Sequence, residues 1–409
     1  MTSLLRSFRR LFPTGENYVT EAGLNHLRNY KYRSVDKSFL TKYVLRHYWN
    51  WAVTLFPTWI APNLITLIGL SFEIFDVLLV LLFVPDLFGP GPAWMYYCFG
   101  AGIWLYSTFD NVDGKQARRT NTSSPLGELF DHGCDALNCS IAGVVEAASF
   151  AMGDTWTTLG LFLCITWTFY ISTWEEYHTG VLYLGYVNGP TEFIVFACIA
   201  CILSGYYGPQ IWHVNAQEYI PVIGHWFPES WELISAMVLI VIILTFTVQF
   251  GTSLANVYSA CKEKNKSFLA TLPHLVPYFA LIWASYIWAD NSYWVIGNTH
   301  MILYIFVVGF AFGRMVSKMI LAHLMGMAFP AYTVQMLPVF LGAFFSKFGM
   351  FSPTTELVFM WCSLVFVVVA YFQWAIIVID RFCEHLNIKC LTIPDIRKAN
   401  PKEKGAKDS

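Results

Sequence analysis

The chain has 409 residues, 56% of them hydrophobic, 18% aromatic and only 13% charged, and its formal net charge is −2. About a quarter of the residues of a soluble domain are charged, so this composition excludes an ordinary soluble domain and favours a protein with many membrane helices. The net charge by itself gives no information about nucleic acid, and we expect membrane lipid rather than nucleic acid around so apolar a chain.

The predicted elements begin with a polar segment, residues 1–41, which we expect to be a cytosolic N-terminal tail. Residues 42–60 mix basic side chains, tryptophans and aliphatic residues, as an amphipathic helix in the membrane interface does. Apolar runs of about 20 residues follow, which is the length that crosses a bilayer. Ten such runs are readable, at 63–84, 91–113, 132–151, 157–175, 190–206, 231–252, 268–288, 293–314, 328–346 and 356–379.

These runs predict the fold class, an all-α polytopic membrane protein with about ten transmembrane helices and an N-terminal interfacial helix. Pro330 and Pro338 interrupt the ninth run, which is therefore the least typical of a membrane span.

Basic residues are distributed asymmetrically along the chain. Cytosolic loops of membrane proteins are enriched in lysine and arginine, so the positions of these residues indicate orientation. With ten spans and a cytosolic N-terminus, 24 of the 25 lysines and arginines fall on the cytosolic side, and Lys347 falls on the other. This distribution predicts two cytosolic termini, the C-terminal one being a basic tail of residues 381–409.

The stretch from Asp110 to Asp135, DNVDGKQARRTNTSSPLGELFDHGCD, lies between two of the apolar runs. Asp110 and Asp113 are three residues apart, and Asp131 and Asp135 are four apart, so each pair lies on one face of a helix. A short connection joins the two helices, and we expect the four carboxylates to meet at the cytosolic edge of the membrane, where unpaired charge is costly. Two Mg²⁺ ions, or Mn²⁺ in their place, would offset these charges and bridge a diphosphate.

Residues between the aspartates fit the same interpretation. Gly114 and Gly127 leave room for a ligand to approach the backbone, and Arg118 can direct a planar fork of donors at phosphate oxygens. The alternative is a solvated loop carrying unrelated charges, which two helical pairs of aspartates disfavour. We therefore expect residues 61–206 to hold the active site and residues 207–380 to complete the same membrane domain.

The CDP-alcohol phosphotransferases have a signature that this chain matches at every position: Asp110-x2-Asp113-Gly114-x2-Ala117-Arg118-x8-Gly127-x3-Asp131-x3-Asp135. Further stretches, among them PTWIAPNLIT, STWEEYHT and GRMVSKMILAHL, resemble the eukaryotic choline/ethanolamine phosphotransferase branch and its fungal members in particular. These stretches are spread over most of the chain.

The resemblance implies transfer of phosphocholine or phosphoethanolamine from CDP-choline or CDP-ethanolamine to diacylglycerol. The products are phosphatidylcholine or phosphatidylethanolamine and CMP, as in the last step of the Kennedy pathway. It further implies a homodimer in the endoplasmic reticulum or Golgi membrane. The residues implied to bind the CDP-alcohol are Asn63, Gly114, Ala117, Arg118 and Gly127. Asn63 is also typical of a helix N-cap, and this alternative stays open.

Two side chains are candidates for the base that takes the proton from the attacking hydroxyl. Asp135 often has this role in the wider family. His132 is the second candidate, because a histidine that titrates near neutral pH suits a base. In the branch that the chain resembles, an acidic residue early in the fifth span orients the base, and Glu192 matches it. We favour His132 oriented by Glu192, which leaves Asp135 as a metal ligand.

Other interpretations are weighed beside this one. A related enzyme for another CDP-activated alcohol would need more basic residues near the motif, and a membrane transporter of ions or solutes would show polar features in two related halves. Glu175, Glu176 and His178 fit a solvated helix end better than a substrate entrance. Trp174 or Tyr177 would hold a cationic headgroup by cation–π attraction.

Overall fold

The helices of the structure follow the apolar runs of the sequence. The computed structural model describes residues 18–28, 30, 32–186 and 189–393. The α-helices are α1 (Glu21–Leu27), α2 (Arg46–Ala52), α3 (Pro62–Phe83), α4 (Ala93–Thr120), α5 (Pro125–Ser149), α6 (Trp156–Thr179), α7 (Ile194–Tyr207), α8 (Ala216–Tyr219), α9 (Leu233–Leu244), α10 (Phe250–Glu263), α11 (Val276–Asn291), α12 (Met301–Leu324), α13 (Met336–Lys347) and α14 (Pro353–Leu386). The protein is an all-α polytopic membrane protein, and the predicted fold class is confirmed.

Short segments of other regular structure connect these helices. The π-helical turns are Thr41–Leu45, Gly189–Phe193 and Thr245–Gln249, and the 3₁₀ turns are Val53–Leu55, Pro209–Trp212, Gly224–Trp226 and Leu272–Leu275. The described residues also contain two short strands, β1 (Ser34–Asp36) and β2 (Leu182–Leu184), which pair in parallel with Ser34 opposite Leu182.

Five of the described helical segments are long and apolar enough to cross a membrane, namely Pro62–Phe83, Pro190–Tyr207, Leu233–Glu263, Met301–Leu324 and Pro353–Leu386. Helices α4, α5 and α6 occupy three further predicted runs and have 28, 25 and 24 residues. Their sequences contain more polar side chains, including those of the aspartate motif. The number of ten crossings stays a prediction.

The ninth predicted run forms a helix that is shorter than predicted. Helix α13 has 12 residues, and about 20 residues are needed to cross a bilayer. In the seventh run, the 3₁₀ turn Leu272–Leu275 leads directly into the 16 residues of α11. In the ninth run, Pro330 lies in the non-helical segment before α13. Pro338 lies in the first turn of α13, where a missing N–H is tolerated because it would have no partner. The predicted length of the ninth span is therefore wrong.

Part of the segment that was expected to be an N-terminal tail is folded. Thr20 caps α1 by accepting a hydrogen bond from the Gly23 N–H at 3.2 Å. Leu24 and Leu27 are buried in the core, with α1 lying against α12. This part of the predicted tail thus packs against the helical core, and residues 1–17 lie outside the described part.

The predicted C-terminal tail also begins inside the fold. Helix α14 continues to Leu386 and ends at Asn387, which has a left-handed backbone with φ of 53°. Arg381 of this helix forms an ion pair with Glu21 of α1 at 2.9 Å. Residues 394–409 lie outside the described part of the chain.

The segment predicted to lie in the membrane interface is helical from Thr41 to Leu55. Helix α2 lies against α4. Trp49 is buried, whereas Trp51, Leu55 and the following Trp59 are exposed. A surface with one buried and one exposed apolar side is what an interfacial helix presents to lipid.

Four helix–helix contacts bring the motif together. Helix α3 packs along α4 and also against α5, α4 packs against α7, and α5 packs against α12. Helix α4 ends at Asn121, whose left-handed backbone stops the helix, and Ser124 starts α5 by accepting a hydrogen bond from the Gly127 N–H. The chain therefore reverses within a few residues, which places the end of α4 beside the start of α5.

Candidate active site

Three carboxylates converge where α4 and α5 lie side by side. Asp110 comes from α4, and Asp131 and Asp135 come from α5. Each of them offers an oxygen atom within 4.8 Å of the other two. All three line one large cavity, whose volume is about 2040 Å³. The structure therefore brings together residues of the two predicted helical pairs.

The fourth aspartate of the motif is held by a neighbouring helix. Asp113 is buried and accepts a hydrogen bond from the Thr66 hydroxyl of α3. It also interacts electrostatically with Asp131 and Asp135. Asp135 in turn accepts a hydrogen bond from the Tyr106 hydroxyl of α4. The four motif carboxylates thus form one cluster, and two of them are oriented by hydroxyl groups.

This cluster fits a divalent cation. Carboxylates this close repel one another unless protons or a cation neutralise them. Oδ1 of Asp131 is buried and has no hydrogen-bond partner among the described residues. An unpartnered buried oxygen is costly, and a metal ion would supply the missing contact. A set of carboxylate oxygens is the donor set that Mg²⁺ and Mn²⁺ prefer.

Gly114 and Gly127 leave open space beside the carboxylates. A Cβ atom built on Gly114 would lie 3.5 Å from Nη1 of Arg118, and one built on Gly127 would lie 3.7 Å from Oδ1 of Asn63. Both are ordinary van der Waals distances, so the packing of the chain alone does not require glycine at either position. Because both residues line the cavity, this space is open to a ligand.

Asn63 is placed beside Gly127 and does not cap its helix. Its side chain is buried, and Nδ2 lies 3.5 Å from Sγ of Cys390. The N-cap residue of α3 is Ala61, and Asn63 lies in the first turn after Pro62. The N-cap interpretation of Asn63 is therefore wrong, and its position in the cavity wall is compatible with a substrate contact.

Ala117 and Arg118 line the same cavity from the C-terminal turns of α4. Arg118 is exposed, and the structure gives its side chain no hydrogen bond or ion pair to another described residue. A guanidinium group in this situation is available to an anionic ligand.

His132 lines the cavity, whereas Glu192 is not among the residues that line it, although the nearby Pro190 and Phe193 are. The ring of His132 lines the cavity and meets the ring of Tyr32 edge-on, with centroids 6.4 Å apart. Glu192 lies in the π-helical turn before α7 and accepts a hydrogen bond from the Ser38 hydroxyl at 2.5 Å. The pairing of His132 with Glu192 stays a prediction.

Comparison with known proteins gives one consistent result. A profile described as CDP-alcohol phosphatidyltransferase matches residues 59–296. The chain is 37% identical to choline/ethanolaminephosphotransferase 1 of Arabidopsis thaliana over 309 residues, which are 75% of this chain and 79% of the plant protein. It is 36% identical to cholinephosphotransferase 1 of Saccharomyces cerevisiae over 322 residues, 76% of this chain and 80% of the yeast protein. Choline/ethanolaminephosphotransferase 1 of the same yeast is 31% identical over 397 residues, 92% of this chain and 98% of that protein.

The chain belongs to the CDP-alcohol phosphatidyltransferase family. The family match contains every predicted site residue, from Asn63 to Glu192. The resemblance stated from the sequence is thereby confirmed, and the protein is a CDP-alcohol phosphotransferase enzyme.

Several residues around the aspartate cluster were not among the site residues predicted from the sequence. Tyr106 lies four residues before Asp110, and Glu128 lies three before Asp131, so helical spacing contained a signal for both. Thr66 is on another helix, and nothing in its sequence context indicates that it bonds to the motif.

The C-terminal end of α6 differs from its prediction. Glu175 and Glu176 are buried, so the interpretation of a solvated helix end is wrong. Trp174 is fully buried and donates from Nε1 to the carbonyl oxygen of Thr271, 3.3 Å away. Neither Trp174 nor Tyr177 is among the residues that line the cavity. They are therefore poor candidates for contact with a headgroup there, whereas Glu176 lines the cavity.

Proposed function

We propose that this enzyme transfers phosphocholine or phosphoethanolamine from CDP-choline or CDP-ethanolamine to diacylglycerol. The products would be phosphatidylcholine or phosphatidylethanolamine and CMP. The observation that carries the proposal is the convergence of Asp110, Asp131 and Asp135 on one cavity beside the unpaired Arg118. The names of the plant and yeast relatives point to the same two donors.

The motif aspartates would hold the metal, which we propose to be Mg²⁺, with two ions per site and Mn²⁺ as a possible substitute. When bound, such ions neutralise charge on the diphosphate and on the leaving phosphate. Arg118 would donate to the phosphate oxygens of the departing CMP. Gly114, Ala117, Gly127 and Asn63 would form the wall against which the CDP part lies.

The reaction proposed for these residues is a single displacement. The hydroxyl oxygen of diacylglycerol forms a bond to the phosphorus next to the headgroup, and the bond from that phosphorus to the bridging oxygen of the diphosphate breaks. CMP leaves with the electron pair of that bond. His132, oriented by Glu192, would take the hydroxyl proton, and Asp135, held by Tyr106, would remain a metal ligand.

The proposal is tested on the purified full-length protein in detergent with diacylglycerol. CDP-choline and CDP-ethanolamine are each supplied with Mg²⁺, with Mn²⁺ and with a chelator, and release of CMP is measured. Metal-dependent release with at least one donor is expected, and the ratio of the two rates defines the headgroup preference. A protein that binds metal but releases CMP from neither donor would contradict the proposal and direct attention to other CDP-alcohols.

We also propose that the protein acts as a homodimer in the endoplasmic reticulum or Golgi membrane, with its site facing the cytosol. The concentration of basic residues on one predicted side supports this orientation. In sealed vesicles, protease added outside is expected to remove a C-terminal tag without detergent. Protection of the tag would contradict the orientation, and a detergent-corrected mass of a single chain would contradict the dimer.

A further inference from the structure

A second group of acidic residues lies beside the aspartate motif. Glu128 of α5, Glu176 of α6 and His323 of α12 each offer a side-chain atom within 4.8 Å of the other two. The Tyr30 hydroxyl donates to Oε1 of Glu128 at 2.7 Å and lies 3.4 Å from Nε2 of His323. The ring of Tyr30 also meets the ring of His323 edge-on, with centroids 5.6 Å apart. Four elements of the fold thus meet at one polar point.

Glu176 is the residue of this group that lacks a partner. It is only 4% exposed, yet its carboxylate has no hydrogen bond or ion pair within the described residues. The neighbouring Glu175 is equally buried but accepts a hydrogen bond from Nδ2 of Asn256 at 2.7 Å. Glu175 therefore has a partner within the protein, whereas Glu176 lines the cavity without one among the described residues.

The charge of the group is also unbalanced. The ion pairs formed among described residues involve neither Glu128 nor Glu176. Glu176 is buried and Glu128 is partly buried, and two carboxylates this close are costly unless a cation joins them or protons neutralise them. Since both line the large cavity, the cation can come from a ligand.

The position of the group indicates which part of a ligand would reach it. Glu128 lies three residues before Asp131 on α5, so the two side chains are neighbours about one helical turn apart. Tyr32 is near both groups, since its ring meets that of His132 edge-on and its hydroxyl interacts electrostatically with Glu128 and Glu176. Consider a ligand whose phosphate lies at the motif aspartates. A cationic nitrogen joined to that phosphate by two carbons would reach Glu128 and Glu176.

We propose that Glu128 and Glu176 bind the positively charged nitrogen of the donor's headgroup, with Tyr30 and Tyr32 beside it. Tyrosine rings attract ammonium groups, and carboxylates pair with them. This subsite rests on the proposed function and extends it to the residues that recognise the headgroup. A divalent metal ion at the same group is the alternative occupant, which the Mn²⁺ titration below tests.

The test compares ligands that differ only in headgroup charge. Equilibrium binding to the purified full-length protein with Mg²⁺ is measured for CDP-choline, for CDP-ethanolamine and for CDP-3,3-dimethylbutanol, in which carbon replaces the quaternary nitrogen. CMP, which has no headgroup, is the fourth ligand. Wild type is expected to prefer the charged donors. Glu176→Gln is expected to weaken their binding about tenfold to a hundredfold, the range typical of a lost charged contact, while the neutral analogue and CMP are unaffected.

Glu175→Gln is the matched control, because it changes a neighbouring buried glutamate that already has a partner. It is expected to keep the preference for charged donors. Equal weakening of all four ligands by Glu176→Gln would overturn the proposal, since it would indicate a structural role. If Glu176→Gln fails to fold, Glu128→Gln is tested in its place. The comparison of charged and neutral ligands on the wild-type protein needs no variant.

Two further outcomes separate this proposal from the proposed function. Turnover of CDP-choline or CDP-ethanolamine together with equal affinity for charged and neutral donors would refute only the headgroup subsite. Absence of turnover with both donors would refute the proposed function. A Mn²⁺ titration followed by electron paramagnetic resonance covers the metal alternative: loss of one bound Mn²⁺ per chain in Glu176→Gln would overturn the headgroup subsite.

Discussion

Arg118 and Arg119 are consecutive residues, but only the side chain of Arg119 forms hydrogen bonds to other described residues. Arg119 donates from Nη1 to the carbonyl oxygens of Val53 and Phe56, at 2.9 and 2.8 Å, and so ties the interfacial helix to α4. Arg118 lines the cavity. Arg118→Ala is therefore expected to lower kcat/KM for the CDP donor about tenfold to a hundredfold, as for loss of a hydrogen bond to a charged group, without lowering Tm.

Arg119→Ala provides the matched comparison for this pair. It removes the two carbonyl contacts and is expected to lower Tm while changing kcat/KM much less. Steady-state kinetics and thermal unfolding of both variants in detergent check the prediction. If Arg118→Ala lowers Tm as much as Arg119→Ala, the assignment of Arg118 to the substrate is contradicted.

Asp131→Asn is expected to remove stabilisation by metal. A ligand that binds the folded state at 100 times its Kd stabilises it by about 2.7 kcal/mol, so Mg²⁺ or Mn²⁺ should raise the Tm of wild type. The variant loses a carboxylate whose Oδ1 has no other described partner, and its Tm should respond little to metal. Thermal unfolding with and without metal measures this. Asp290→Asn, a change at an exposed aspartate, should respond like wild type.

His132→Ala is expected to lower kcat by a factor of about 10² to 10⁴, the usual contribution of a general base. Binding of the CDP donor should stay within a factor of about two, because the base contacts the acceptor hydroxyl rather than the cytidine diphosphate. Single-turnover kinetics and equilibrium binding separate the two effects. Loss of donor binding together with turnover would recast His132 as a structural residue.

Gly114→Ala should make the protein more stable and less active. Replacing glycine by alanine inside a helix stabilises it by about 1 kcal/mol, and the new Cβ meets only the Arg118 guanidinium at an ordinary distance. The same Cβ would occupy space proposed for the donor, so KM should rise. Gly251→Ala in α10, where a Cβ meets nothing within 4 Å, should give the stability gain without the rise in KM. An unchanged KM in Gly114→Ala would contradict the position proposed for the donor.

The stability of the protein without ligand should depend on pH through Glu176. Burial, together with the charges of Glu128 and Glu175, raises the pKa of Glu176 from 4.5 to about 8. Between these two values the folded state holds a proton that the unfolded state has lost. The free energy of unfolding must therefore fall as pH rises through this window.

Glu176→Gln removes this dependence. Between pH 5.5 and pH 8.5, the Tm of wild type is expected to fall relative to that of the variant. The corresponding change in the free energy of unfolding is a few kcal/mol at most. Burial also raises the pKa of Glu128, to about 7, so part of the dependence should persist in Glu176→Gln. Parallel Tm curves for the two proteins would show that Glu176 is ionised over the whole range.

The sequence was sufficient for the class of fold and for the convergence of the motif aspartates. The spacing of Asp110, Asp131 and Asp135 depends only on helical geometry, and a short connection between two helices brings their ends together in any helical hairpin. The apolar runs likewise predict helices, because backbone groups in lipid must bond within their own segment. Such local rules do not depend on the rest of the fold.

Other features were decided only by the tertiary structure. Thr66 reaches Asp113 from another helix, and Glu128 and Glu176 meet although they are far apart in sequence. The sequence predicted a solvated Glu176, because a glutamate at the end of an apolar run is usually exposed. In the structure, packing by other elements buries it. Local patterns thus determined which aspartates of the motif meet. Long-range packing determined which residues surround that motif, because contacts between distant segments have no signature in either segment alone.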